Sequence, residues 1–426
     1  KCIDNAGLLD FVAAWYVKAA RYMHGAPACR SAFVSTNSIT QGEQVGVLWG
    51  WMLSQGIHIQ YAHRTFSWSN EARGNASVHC VIIGFGLHDY PNKKIYEYAD
   101  IKGVPLAKNA RNINPYLVDA PNIVLPRRRI PICDVPEIGI GNKPIDGGNY
   151  LFSTSERDAF IALEPKSKKW FRRWLGAEEF LNGYERWCLW LGECPPSELR
   201  EMPEAMKRVQ AVRSLRLGSK SLPTRRLAGM PTRFHVENIP TTSYLLLPEL
   251  STERRRFIPL GFEKPETLSS NLVKVLPNAS LFHFGVLCST MHNAWVRQTC
   301  GRLGSGFRYS KDIVYNNFPW PGFAGEPLSD KHRSAIEQAA QCVLDARAQF
   351  TGASLADLYD PLTMPPALHK AHQKLDTAVD AAYQPSGGKK TYATDAERVA
   401  FLFDLYQRIT SLLPAPAVKR NRKTKQ

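Results

Sequence analysis

Phe66 and Trp68, two positions apart and flanked by Arg64, Arg73 and Asn75, are the residues whose types and spacing best suit chemistry on a nucleobase. Free aromatic faces receive a base lifted out of a DNA stack, and arginine and asparagine donate to base edges and phosphates. These residues lie in HRTFSWSNEARGNAS (63–77), read as a polar loop. It runs into VHCVIIGF (78–85), whose apolar, partly β-branched composition predicts a buried strand. Loops at strand ends are where α/β folds place function. The competing reading is that Phe66 and Trp68 pack into a core.

The elements that must position this loop read as alternating helix and strand. Leu8, Leu9, Val12, Tyr16, Ala19 and Ala20 recur at three- and four-residue intervals and predict an amphipathic helix. Ala32–Ser35 follows as a short strand, with Asn37, Ser38, Thr40, Gln41 and Gly42 as its polar turn, Gln44–Leu53 as a helix and Ile57–Ala62 as the next strand. In an open sheet such a turn faces the ligand crevice. Asn37 and Thr40 suit a helix N-cap equally well. From Ile95 to Pro131 the pattern breaks into turns and proline, and Arg127, Arg128 and Arg129 mark a junction. The glycine-rich stretch 139–148 lacks a strand before it and a helix after it, so successive turns are expected there and not a nucleotide loop.

The middle of the chain is basic. Ser155–Leu163 and Lys166–Leu175 read as helices, and Gly183–Leu191 supplies bulky core. Pro203–Leu217 reads as an amphipathic helix with Met206, Val209, Val212 and Leu215 on one side and Lys207, Arg208, Arg213 and Arg216 around it. Arg225, Arg226 and Arg233 continue the positive run, and STERRR (251–256) places Ser251, Glu253, Arg254 and Arg255 before an apolar segment. Such faces suit DNA phosphates, although a solvated surface accounts for any single cation. Cys300–Pro321 is the best candidate for reading bases. Gly304, Ser305 and Gly306 allow close approach, and Arg302, Arg308, Tyr309, Ser310 and Lys311 surround them with donors.

The remainder reads as three helices, Asp330–Gln349, Pro366–Tyr383 and Asp395–Leu413, with Thr394 and Glu397 forming a capping box for the last. Val399, Leu402, Phe403, Tyr406 and Ile409 form its apolar stripe, and residues 414–426 are expected to be a disordered basic tail. A formal net charge of +16 points first to nucleic acid as the partner. No run of eighteen apolar residues is present, so no membrane partner is expected. The nine cysteines include no CxxC pair and His369 and His372 stand without a carboxylate or cysteine set, so no metal is expected.

Taken in order, GLLDFVAAWYVKAARYM, AFVSTNSITQGEQVGVLWGWML, the Ala62–Phe85 stretch, INPYLVD, GYERWCLWL, STERRRFIPLGF, GRLGSGFRYSKDIVYNNFPWP and SLADLYDPLTMPPALHKAH resemble the MmeI-like (type IIL) restriction-modification enzymes. These are single chains that join a nuclease, an adenine-N6 DNA methyltransferase and a target-recognition domain, and the resemblance runs from about Gly7 to Leu413. It implies an α/β fold: the C-terminal half of a Rossmann-like methyltransferase domain (1–118), a mixed α/β target-recognition domain (119–325) and a helical C-terminal domain (326–413). It also implies that Phe66, or else Trp68, stacks on the extruded adenine, that Asn37 and Gln41 line its pocket, and that positions near 251–254 and 304–306 vary with the target.

The family's glycine-rich S-adenosylmethionine loop and Asn-Pro-Pro-Tyr/Phe tetrapeptide do not occur in the sequence, and INPYLVD (113–119), with one proline, is not taken for the latter. The chain is therefore expected to be the C-terminal portion of a larger bacterial, cytoplasmic enzyme that binds S-adenosylmethionine when intact. It would work with its own N-terminal remainder on double-stranded DNA and be inactive alone. A DNA specificity module serving a separate methyltransferase subunit, or an RNA-binding protein, are the alternatives.

Overall fold

The computed structural model describes residues 3–68, 78–323 and 327–411. Arg73, Asn75 and the basic tail lie outside these. The chain opens with helix α1 (Ala13–Gly25), strand β1 (Arg30–Thr36), a 3-10 turn at Asn37–Thr40, helix α2 (Gly42–Ser54) and strands β2 (His58–Trp68), β3 (Val78–Gly86), β4 (Lys93–Glu97) and β5 (Leu106–Ala110). The five strands form one mixed sheet in the order β1-β3-β2-β4-β5. β3 pairs antiparallel with both β1 and β2, while β4 runs parallel to β2. α1 and α2 cover the sheet because their inward residues are apolar. Tyr16 packs against Phe33, Trp49 and Phe85, and its hydroxyl meets Ser35 Oγ at 2.9 Å.

Two expectations change here. The segment read as a loop from His63 is strand as far as Trp68, because its backbone pairs with β3 down to Trp68↔Val78. A bulge between His63 and Phe66 lets the strand carry on while re-aiming its side chains. The stretch after Ile95, read as turns, contains most of β4 and all of β5. Four of the five β5 residues are exposed, so pairing with β4, and not an apolar pattern, makes it a strand.

A second lobe follows. It comprises β6 (Gly139–Ile140), β7 (Leu151–Ser153), α3 (Thr154–Leu163), β8 (Phe171–Leu175), α4 (Ala177–Asn182), β9 (Arg186–Leu189), α5 (Pro196–Arg200), α6 (Pro203–Leu217), α7 (Leu222–Leu227), β10 (Tyr244–Pro248), β11 (Leu250–Ser251), β12 (Gly261–Glu263), β13 (Leu268–Ser269) and β14 (Val273–Pro277). Two four-stranded sheets, β13-β8-β9-β7 and β12-β10-β14-β6, frame it. Its core gathers Tyr150, Phe152, Trp174, Trp190, Val209, Val212 and Phe234. The helix expected at Lys166–Leu175 is a 3-10 turn, Pro165–Trp170, and then β8, since Phe171–Arg173 pair with Trp187–Leu189. In α6 the buried side is Ala205, Val209, Val212 and Arg216, whereas Leu215 faces out.

The chain then forms α8 (Leu281–Cys288), α9 (Thr290–Thr299), the hairpin β15 (Gly301–Leu303) and β16 (Gly306–Arg308), a π-helical turn at Lys311–Tyr315, and helices α10 (Asp330–Ala348), α11 (Leu355–Leu358), α12 (Pro366–Tyr383) and α13 (Asp395–Ser411). One continuous core runs from Ala13 on α1 to Ile409 on α13, so the five-stranded sheet, α8, α9, the final helices and, through Leu245, Leu247 and Leu276, one face of the β12-β10-β14-β6 sheet are a single packed body. The stripe Val399, Leu402, Phe403, Tyr406 and Ile409 is buried in it, with Phe403 against Tyr116 and Trp295. Asn317 acts as a hub: its amide donates to the carbonyls of Pro126, Asp312 and Ile313, and its Oδ1 accepts from Arg128 and the Tyr406 hydroxyl.

Candidate nucleic-acid interface

At the end of the sheet where β2 and β4 run side by side, a cavity of about 530 Å3 opens, a size usual for small-molecule sites. The strands contribute Arg64, Thr65 and Glu97, with Tyr98 just beyond β4, and the turn before α2 contributes Thr40 and Gln41. Tyr116 and Leu117 close one side, Arg297 and Gln298 on α9 another, Arg302 and Phe307 on the hairpin a third, and Asp395 and Val399 on α13 the last. Arg64 organises the polar floor. It donates to Glu97 at 3.3 Å and to Gln298, whose own amide donates to the Tyr116 carbonyl at 2.6 Å. Burial pushes the Glu97 carboxyl up, but the hydrogen bond from Lys108 and the charges of Arg64 and Lys108 outweigh it and hold Glu97 below the usual carboxylate range.

Of the four residues predicted for a base pocket, Gln41 stands in the cavity wall. Asn37 is buried behind it and donates to Thr65 Oγ1 at 3.4 Å. Phe66 stacks on Tyr98, centroids 5.4 Å apart and planes at 26°, and Trp68, half exposed, leans on Phe66 at 6.3 Å. Phe66 and Trp68 thus meet the cavity through Tyr98, which no sequence pattern singled out. Tyr98 also receives or donates a 2.8 Å hydrogen bond at His63 Nδ1, and the His63 ring stacks on Tyr96 at 4.2 Å.

The two segments predicted to read bases come together. β11, from the STERRR region, pairs with β16, and β16 with β15, in a three-stranded sheet. Ser251 therefore sits opposite Phe307, and Arg302 opposite the same residue from the other side. Leu303 pairs with Gly306 across a two-residue turn, in which Gly304 takes φ +58°, a conformation that favours glycine, and adds no side chain to the tip. Ser305 is exposed there, as are Arg254 and Arg308, while Glu253 and Arg255 are partly covered. Arg302 lies over the Phe307 ring at 4.3 Å and donates to the Ser305 carbonyl at 2.7 Å and to Gln41 Oε1 at 3.2 Å. A second cleft, about 510 Å3, borders this sheet and lines Lys143, Lys274, Arg308, Ser310 and Lys311 against Glu43, Glu249 and Asp312.

The basic residues of α6 and α7 divide. Arg213, Arg225 and Arg226 are exposed. Arg216 is not a surface cation: it is 0% exposed. Its five N–H groups donate to the carbonyls of Pro144, Ile145, Leu227, Met230 and Arg233 at 2.8–3.2 Å. Arg208, partly exposed, lies over the Phe152 ring at 4.6 Å and donates one hydrogen bond to the Asn149 carbonyl. Tyr309 is likewise turned inward, 1% exposed, with its hydroxyl on His292 Nε2. The expectation of DNA contact fails for Arg216 and Tyr309, because no polar atom of either is left facing solvent. Among the described residues no three His, Cys, Asp or Glu are grouped to hold a metal, and no helix is long and apolar enough to cross a membrane.

Models of three MmeI domains match this arrangement in chain order: the DNA-methyltransferase domain over residues 1–97, the target recognition domain over 119–322 and the C-terminal domain over 328–414. The chain belongs to the MmeI family. It is 51% identical to the solved type IIL restriction-modification enzyme MmeI in complex with DNA, with a TM-score of 0.86 over 96% of this chain and 54% of that one. It is 38% identical over 408 residues to DNA methyltransferase A of Bacillus subtilis (strain 168), covering 96% of this chain and 45% of that protein. The chain therefore spans about half the length of these relatives. In MmeI terms, the cavity is walled by all three matched portions, and the Arg302–Gln41 bond joins target recognition to methyltransferase.

Proposed function

We propose that this chain is the target-reading and base-receiving part of a site-specific DNA methyltransferase of a restriction-modification system, working in the bacterial cytoplasm on adenine N6 in double-stranded DNA. The observation that carries the reading is the meeting of the reading sheet and the cavity at Arg302. A duplex held along β11, β16 and β15 would lie beside a pocket of the right size for one extruded base. Tyr98, backed by Phe66, would stack that base; Gln41, with Asn37 behind it, would meet its edge; and Arg213, Arg225, Arg226, Arg254, Arg255, Arg308 and Lys311 would supply phosphate and base contacts.

S-adenosylmethionine would supply the methyl group in the longer enzyme. The glycine-rich stretch of this chain does not fit it, since Arg216 draws in the Pro144 and Ile145 carbonyls and Gly139 pairs with β14. No step is therefore assigned to the cofactor here. The N-terminal remainder of the polypeptide would carry that loop. It would dock where β1 forms the sheet edge and where Phe11, just before α1, and Trp15 and Tyr22 on it stand exposed.

Binding to a pool of randomised duplexes at moderate salt, followed by sequencing of the retained DNA, tests the reading. One enriched asymmetric motif containing an adenine supports it. Salt-sensitive retention without a motif would leave reading to a separate subunit, and preference for single-stranded RNA at equal salt would select the RNA-binding alternative.

A further inference from the structure

Three consecutive residues at the start of α2 each touch the region of the reading hairpin in a different way. Gln41, the N-cap, accepts from Arg302 Nε at 3.2 Å. Gly42, at φ +59°, brings its backbone against β15 so closely that a Cβ would lie 2.9 Å from Gly301 Cα and 3.2 Å from Gly301 N. Both neighbours are backbone atoms, so neither can rotate aside as a side chain would. Glu43 meets Arg127 at 3.4 Å, and Arg127 in turn holds Asp312, just past the hairpin, at 3.0 Å. α2 belongs to the five-stranded sheet's body, so the hairpin is fastened to the body that carries the cavity. On its other edge it receives the two-residue strand β11 from the lobe, and there Arg308 holds Glu249 at 2.8 Å and Arg302 reaches Glu253 at 3.5 Å.

We propose that Gln41, Gly42 and Glu43 are positioning residues: they hold the β15–β16 hairpin in fixed register with the cavity, so that the bases read are counted from the base to be modified. This rests on the DNA-reading function proposed above. Arg302 is the hinge pin of the device. The same guanidinium closes the hairpin tip through the Ser305 carbonyl and fastens the hairpin to the turn at Gln41. Arginine suits this because its planar fork reaches two acceptors at once.

The test uses the 426-residue chain and two readouts. Hydrogen exchange of the Gly301–Arg308 amides in the free protein should speed up about fivefold to tenfold in Gln41→Ala and Gly42→Ala, with the β10 and β14 amides unchanged. Gln41→Glu keeps an acceptor for Arg302 and should exchange at the wild-type rate. In the randomised-duplex selection, Gly42→Ala, which alters no side chain of the cavity, should retain DNA at low salt but return a motif with relaxed bases or altered spacing to the adenine. Unchanged exchange in both alanine variants overturns the clamp whatever the DNA result. Faster exchange with an unaltered motif overturns its positioning role and leaves domain packing alone. Failure of the wild-type chain to enrich any motif, with exchange faster as expected, overturns the DNA-reading function and the role given to the clamp, while the mechanical tie itself stands.

Discussion

Replacing Arg216 by methionine separates a structural arginine from its surface neighbours of the same type. The side chain is fully buried, and its five donors satisfy five carbonyls drawn from the 144–145 turn, the end of α7 and the segment after it. A buried acceptor stripped of its partner costs about 1–3 kcal/mol, but five that share one donor group do not add independently. Removing the cation also recovers part of its burial cost, to which the lowering of the Arg216 pKa by burial testifies. A net loss of about 3–4 kcal/mol is expected, near the upper end for a single substitution. Urea unfolding followed by tryptophan fluorescence reports it directly, since Trp174 and Trp190 lie in the same core. At a slope of about 2–3 kcal/mol/M the midpoint should fall by at least about 1 M. Arg213→Ala, less than one turn away and exposed, should unfold within about 0.5 kcal/mol of wild type yet flatten the salt dependence of DNA binding by about one phosphate contact. A wild-type midpoint for Arg216→Met would refute the reasoning, because five good hydrogen bonds in a dry site would then count for nothing.

Tyr98→Ala should lower extrusion of the target base by about fivefold or more, since an aromatic–base stack is worth about 1–3 kcal/mol, with Phe66→Ala, behind it, losing less; a duplex with 2-aminopurine at the target adenine reports it, and an undiminished signal in both counts against the assignment. Burial, with Arg333 alongside, pulls the His283 imidazole from 6.5 down to about 4, so the unfolded chain takes up the proton first and stability drains away as pH falls from 6.5 towards 4. His283→Gln keeps the capping acceptor for Ser280 and should leave stability at pH 7 unchanged while removing about one proton from the pH slope of the unfolding free energy. The same slope in both proteins would sink that account. Gly304→Ala meets open space, so strain at its positive φ acts alone; a loss of about 1 kcal/mol is expected in the same urea assay, and none would show the turn to be more pliant than its geometry implies.

Periodicity reported what local sequence decides. Pro203–Leu217 and Pro366–Tyr383 are helices over the residues predicted, and the stripe from Val399 to Ile409 is buried as its spacing requires. Phe66 and Trp68 were misplaced because strand pairing, not composition, carries β2 through Arg64 and Ser67. Lys166–Leu175 was misread because Phe171–Arg173 find partners on β9, a contact that a run of lysines and aromatics does not announce. Arg213 and Arg216 are the same residue type on the same helix. What buries one is a set of carbonyls some 70 residues upstream and others just beyond the helix, which helical spacing cannot encode. The cavity was the least legible feature of all: Gln41, Arg64 and Arg302 carried a sequence-level signal one by one, but nothing in the sequence brings them together with Glu97, Tyr98, Tyr116, Gln298 and Asp395 from across most of the chain.

The continuous core from α1 to α13 sets an order of events during synthesis. The lobe's inner apolar cluster, from Tyr150 to Leu268, is complete within the lobe, so it can condense while the ribosome is still far from Asp395. The larger body cannot. Tyr116 and Trp295 wait for Phe403, and Asn317 waits for the Tyr406 hydroxyl, so their faces stay bare until the last helix has emerged. The lobe's inner cluster is thus built before the body that carries both hairpin and cavity, and the interval between the two is when the nascent chain is most open to association through uncovered apolar surface.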